Sequence, residues 1–216
     1  MYGHKPEPRC TVGPDGKLYV GVTSAMRLEK EARGEDAAYY GEAYHGLEGT
    51  GAHMAALDYC AHVFGWVPEY TTPAWPTEHH DERQWQRVMQ QARIGFSEWM
   101  GQVELEPLAI EQEAFNTQLR LCGHVDLYCT LIRKTRRVKA IVDLKFVAAL
   151  QEEHRTQIRL YHQLHGFREA QIGVLFQMDR ATGQWRTEEV NLMQGLDQVM
   201  KVAQAAQSYL SQQEVV

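Results

Sequence analysis

Residues 140–150 read AIVDLKFVAAL, an apolar run interrupted by Asp143 and Lys145. In a strand, positions i and i+2 project from one face, so the carboxylate and the ammonium point the same way. Left unpartnered among apolar neighbours, each charge costs several kcal/mol. Two arrangements offset that cost. One is a structural ion pair, Asp143 or Asp126 with Lys145 or Arg159. The other is a divalent cation held by acids, with a polarised water beside the lysine. The second acid stands in CGHVDLYC (122–129), where Asp126 lies among strand formers. If the segments around Asp126 and Asp143 form a hairpin about the basic RKTRR, Asp126 falls opposite roughly residue 143. Two carboxylates so placed repel, and one titrates upward unless a cation lies between them. Mg²⁺ favours a few carboxylates together with waters and phosphate oxygens. The same acid-x-Lys spacing recurs at Asp15-Gly16-Lys17, but there it follows Gly13-Pro14 and reads as a turn.

The elements that must position these groups are readable from periodicity. DGKLYVGV (15–22) is a turn and short strand, and TSAMRLEKEAR (23–33) a helix with Thr23 or Ser24 as N-cap. Residues 49–65 and 82–101 are helices, the second with an apolar stripe of Trp85, Val88, Met89, Ala92, Phe96 and Trp99. A Pro- and Thr-rich loop (67–80) separates them. The period then shortens to two: strands are expected at 108–116, 119–130 and 138–147. A helix over 152–168 follows, then two short strands (171–179 and 184–190) and a last amphipathic helix over 193–212. Helices flanking a hairpin-rich mixed β-sheet make an α/β single domain: a helical part about 23–101, a sheet core about 103–190, and the C-terminal helix.

An Asp on one strand, Asp-x-Lys on the next and Gln-x-x-x-Tyr on the following helix resemble the PD-(D/E)XK nuclease superfamily, in its RecB-type and lambda-exonuclease-like branch. QIRLY supplies Gln157 and Tyr161, GTGAH supplies His53, and IEQEAF supplies Glu111, with Glu113 as the alternative acid. These matches run in the family's order from about residue 23 to residue 161. No Pro precedes Asp126, and the third-strand acid is Asp where many members have Glu. The resemblance implies a restriction-endonuclease-like core and a metal-dependent DNA exonuclease acting at the ends of linear duplex or single-stranded DNA. It implies one or two Mg²⁺ or Mn²⁺ ions held by Asp126, Asp143, Glu111, His53 and the carbonyl of Leu144. Lys145 would act on the attacking water, and Gln157 and Tyr161 would position the lysine and the DNA backbone. An endonuclease or flap nuclease on the same fold is the alternative, as is a non-catalytic DNA-binding module. Against the module stands the intact set of converging carboxylates, which would repel phosphate without a cation between.

Other groups have two readings each. Ser24 and Arg27, at the start of the first helix, suit a phosphate, but Ser24 equally suits a plain cap. Arg133, Lys134, Arg136, Arg137 and Lys139 form the one dense basic run, which either steers DNA or protects a solvated turn. Trp75 in its Pro-flanked loop suits stacking on bases, whereas Trp85 and Trp99 suit the core.

Composition bounds these readings. With 216 residues, 44% apolar and 23% charged, the chain has the make-up of a globular domain. A net charge of −6 excludes a broad basic coat but not a local patch. Cys10, Cys60, Cys122 and Cys129 have no close ligand spacing, so free thiols and no iron–sulfur cluster are expected. No apolar run reaches the roughly 20 residues that span a bilayer, and MYGHKPEPRC has no apolar signal region. The expectation is a cytoplasmic protein of a bacterial or phage-infected cell, working on DNA, with a single-strand annealing or recombination protein as a candidate partner.

Overall fold

The computed structural model describes residues 7–35, 43–66 and 81–213. Within them the chain runs β1 (Cys10–Val12), β2 (Leu18–Gly21), α1 (Val22–Ala32), α2 (Ala43–Val63), α3 (Glu82–Gln102), β3 (Glu104–Asn116), β4 (Leu121–Arg133), β5 (Arg136–Lys145), α4 (Glu152–His162), β6 (Ile172–Met178), β7 (Trp185–Val190) and α5 (Leu196–Gln213). The fold is α/β, with one mixed seven-stranded sheet flanked by helices. The order is β1-β2-β4-β5-β6-β7, with β3 also paired to β4. Strands β2 and β4, and β5 and β6, pair in parallel; the rest are antiparallel.

Two cores cover the sheet. On one side α1, α4 and α5 bury Ala25, Ile158, Leu160, Val202 and Ala206 against Val20, Val125 and Ile141. On the other, α2 and α3 bury Ala52, Leu57, Val88 and Phe96 against Leu127, Val142 and Phe176. The expected α3 stripe is buried throughout, Trp85 and Trp99 included. Asp81 caps α3 by accepting from Gln84 N at 3.1 Å, with Glu82 in the first turn, favourable beside the helix's positive end. Helix α4 begins with a reciprocal capping box between Gln151 and His154, with Glu152 and Glu153 in its first turn.

Several boundaries differ from expectation. Gly21, not Thr23 or Ser24, is the N-cap of α1, because β2 turns directly into the helix. The Ser24 hydroxyl instead accepts from Arg9 N at 2.9 Å. Helix α4 stops at His162, six residues early, and the chain turns through Gly166 at φ 95°. Helix α5 starts at Leu196 rather than 193, after Gly195 at φ 63°. The sheet also reaches back to β1, outside the expected 103–190 core. The loop 67–80, with Trp75, lies outside the described residues. Among the described residues no helix is long and apolar enough to cross a membrane.

Candidate metal centre

The site arises from a split in the sheet. Strand β3 pairs along one edge of β4 from Leu121 to Ile132. The other edge is shared: β2 takes Leu121 and Cys122, while β5 takes Leu127 to Arg133. Among the described residues no strand pairs with 123–126 there, so a notch opens between the ends of β2 and β5. The pairing of β5 with β4 ends at Val142↔Leu127, although β5 continues to Lys145 against β6. That register carries Asp126 opposite Asp143, as the hairpin reading required. Where the ladder stops, the Asp126 side chain takes its place: Oδ2 accepts from Leu144 N at 2.7 Å. Leu144 thus enters the site through its amide.

Glu111 sits between the flanking pairs Ile110↔Leu127 and Gln112↔Val125, which puts it beside Asp126. Its φ of 50° is left-handed, unusual for a non-glycine inside a strand and costing about 1–3 kcal/mol. Glu113, the alternative acid, is exposed and pairs with His124. Glu111 is therefore the acid the structure brings in.

His53 comes from α2, on the opposite layer from α4. Small residues let α2 approach closely: a Cβ on Gly51 would lie 2.4 Å from the Trp85 ring of α3. His53 Nε2 lies 2.6 Å from Glu111 Oε1 and 3.5 Å from Asp126 Oδ1. Ligand atoms of these three residues all fall within 4.8 Å of one another. His53 Nε2 and Glu111 Oε1 are close but not aligned as a hydrogen bond, and both are buried without another partner among the described residues. Burial drives the Asp126 carboxyl up to about 7, with the charges of Asp143 and Glu111 adding to it and His53 and Lys145 opposing. Burial pulls the His53 imidazole down, but Asp126 and Glu111 outweigh it and hold the ring at about 9. A proton on the His53 ring makes its 2.6 Å approach to Glu111 attractive.

Asp143 is 1% exposed, and Lys145 Nζ donates to its Oδ1 at 2.9 Å. Nζ also lies 2.8 Å from Oδ2, so the ion pair spans both carboxylate oxygens. Arg159, the other candidate counter-charge, pairs with Glu152 at 2.6 Å instead. On α4, Gln157 Nε2 donates to the Tyr161 hydroxyl at 2.8 Å. The Tyr161 ring packs over Gly123, where a Cβ would come within 2.9 Å. Its phenol is raised well above the usual range by burial and by Asp143, Asp126 and Glu111, so the helix faces the same notch.

The sequence reading missed two residues. Gln177, 4% exposed, donates to the carbonyls of Val147 and Ala148 at 2.9 and 2.8 Å and so clamps the loop leaving Lys145. Its register opposite Lys145 depends on a parallel pairing that local pattern does not reveal. His154 interacts electrostatically with Lys145 and Asp143. Its spacing to Gln157 and Tyr161 (i, i+3, i+7) was the available signal.

The basic hairpin tip lies apart from this cluster. The tip of β4–β5 is seven residues beyond Asp126, about 23 Å at strand rise. There Arg133 pairs with Glu189 at 2.5 Å, Arg137 with Glu106 and Lys139 with Glu169, while Lys134 and Arg136 are exposed. Arg27 lies 3.9 Å from Glu31, with its Nε buried and without a hydrogen bond among the described residues. Cys60, Cys122 and Cys129 are buried thiols and Cys10 is exposed.

No family model and no curated protein matches the chain. Among solved structures, the crystal structure of SSO0001 is similar at 12% identity and a TM-score of 0.36, over 88% of this chain and 74% of that one.

Proposed function

We propose that this chain is a metal-dependent DNA nuclease with a PD-(D/E)XK-type site, acting as an exonuclease on DNA ends. The observation that supports it best is the convergence of His53, Glu111 and Asp126, whose ligand atoms lie within 4.8 Å of one another in the notch, with Asp143 and Lys145 beside them. Carboxylates gathered this closely repel one another unless a positive charge lies among them. Imidazole and carboxylate donors suit Mn²⁺, and carboxylates with open positions suit Mg²⁺. His53, Glu111, Asp126 and Asp143 would hold such an ion. When bound, it supplies charge neutralisation for the phosphate and acidifies a water.

The chain's own groups do the rest. Lys145, held by Asp143, presents an ammonium to the attacking water and to charge building on the phosphate. Leu144 N–H fixes Asp126, so its other oxygen stays free for the site. Such work places the protein in the cytoplasm of a bacterial or phage-infected cell.

Linear duplex labelled at the 5′ or 3′ end, incubated with Mg²⁺ or Mn²⁺ beside a closed circle, tests this reading. Loss of linear DNA only, abolished by EDTA and by Lys145→Ala, is expected. Cutting of the circle points to an endonuclease. DNA binding without cleavage under either metal refutes the enzymatic reading.

A further inference from the structure

We propose that His154 Nε2–H donates a hydrogen bond to a non-bridging oxygen of the phosphate held beside Lys145. The inference rests on the nuclease reading and deepens it.

The tautomer follows from the capping box. His154 Nδ1 accepts from Gln151 N at 3.0 Å, and the Gln151 side chain accepts from His154 N in return. A ring nitrogen that accepts from a backbone N–H carries a lone pair, so in the neutral ring the proton sits on Nε2. Burial and the neighbouring Lys145 charge pull this imidazole below its usual range, which keeps it neutral near pH 7. Nε2 has no hydrogen-bond partner among the described residues. The ring is half-buried and close enough to Lys145 and Asp143 to interact with both charges. On α4 it stands one turn before Gln157, whose partner Tyr161 floors the notch at Gly123. His154 therefore presents a fixed, neutral Nε2–H donor one turn before Gln157 on α4, within electrostatic reach of Lys145.

The acids next to it do not repel an anion as their number suggests. Glu152 is paired with Arg159 at 2.6 Å and Glu153 with Lys30 at 2.6 Å. The first turn of α4 also directs amide N–H groups and its positive helix end outward, which favours a phosphate. His154 stays neutral and transfers no proton.

Three substitutions separate this role from capping. His154→Gln keeps an acceptor for Gln151 N and offers an N–H donor. His154→Glu keeps the cap, since Glu suits this position of a capping box, but has no donor. His154→Ala loses both. The expected result is near wild-type kcat/KM for Gln, and losses of about 10- to 100-fold for Ala and Glu, in line with removal of one positioned donor. Thermal stability of the Gln and Glu variants and Mn²⁺ affinity of the Gln and Ala variants should match wild type. ¹⁵N NMR of the metal-free protein should show the Nε2–H tautomer. Glu as active as Gln, or Gln as poor as Ala, overturns the role of His154 alone, as does an Nδ1–H tautomer. A wild type that cleaves no DNA under either metal overturns the nuclease reading and this one with it.

Discussion

Metal binding at this site should expel protons, and the number is set by the pH. In the metal-free cluster His53 holds its proton up to about 9 and Asp126 up to about 7. A cation needs the neutral imidazole and the ionised carboxylate, so both protons must leave. Near pH 7, deprotonating a ring that titrates at about 9 costs two pH units, about 2.7 kcal/mol or a hundredfold in affinity. Mn²⁺ affinity should therefore climb roughly tenfold per pH unit from about pH 7 to 8.5, and more steeply below pH 7, where Asp126 also contributes. Titration calorimetry in two buffers of different ionisation enthalpy measures this directly. It should report close to one proton released per ion at about pH 8, and more than one at about pH 6.5. His53→Gln offers a neutral donor with no proton to lose, so its slope should fall by one proton while its intrinsic affinity weakens. A flat affinity across that range, or an unchanged slope in His53→Gln, would refute the assignment of this cluster to a cation.

The same protons act on stability with a definite sign. Both folded-state values are raised, so their contribution is present in acid and lost as pH rises through about 7 for Asp126 and about 9 for His53. The melting temperature in EDTA should fall between about pH 6 and 9, and Mn²⁺ should reverse the fall; a rising melting temperature would contradict both shifts. Lys145→Met strips the counter-charge from a carboxylate that is 1% exposed, so it should cost about 3–5 kcal/mol, roughly 10 °C in melting temperature, in EDTA. Asp126→Asn retains an oxygen for the Leu144 N–H, so circular dichroism and melting should stay near wild type while calorimetric Mn²⁺ binding disappears. Gly123→Ala pushes a methyl to 2.9 Å from the Tyr161 ring and should cost about 1–3 kcal/mol by chemical denaturation, with a loss of cleavage.

What could be read from the residues was local in sequence. The β4–β5 register followed from centring the hairpin on RKTRR: in the structure Arg133↔Arg136 continues to Leu127↔Val142, and the next step is Asp126 with Asp143. The α3 stripe was equally plain, because every third or fourth residue is large and apolar. Contacts between distant segments were not legible. Glu106, Glu169 and Glu189 arrive from three separate parts of the chain to pair with the basic hairpin, and only folding shows that its charge is largely met. The left-handed backbone at Glu111 has no glycine to announce it, so Glu113 stood as an alternative to Glu111 until the fold turned Glu111 toward His53.

The charges within AIVDLKFVAAL are accommodated by a feature that no local pattern encodes. One edge of β4 is divided between a parallel partner, β2, and an antiparallel one, β5, which leaves four residues of that edge without a strand among the described residues. Had β5 stayed paired to its end, Leu144 would bond to backbone, and Asp126 and Asp143 would be forced together with no room between them. Because β5 leaves β4 after Val142 to follow β6, the Leu144 amide is satisfied by a side chain and the notch stays open. Lys145 meets both oxygens of Asp143, at 2.9 and 2.8 Å, and so answers that charge by itself. An ion pair sufficient in itself would need neither His53 from the opposite layer nor a strained Glu111. Their convergence on Asp126 in one gap of the sheet is what favours the proposed cation site over a plain ion pair.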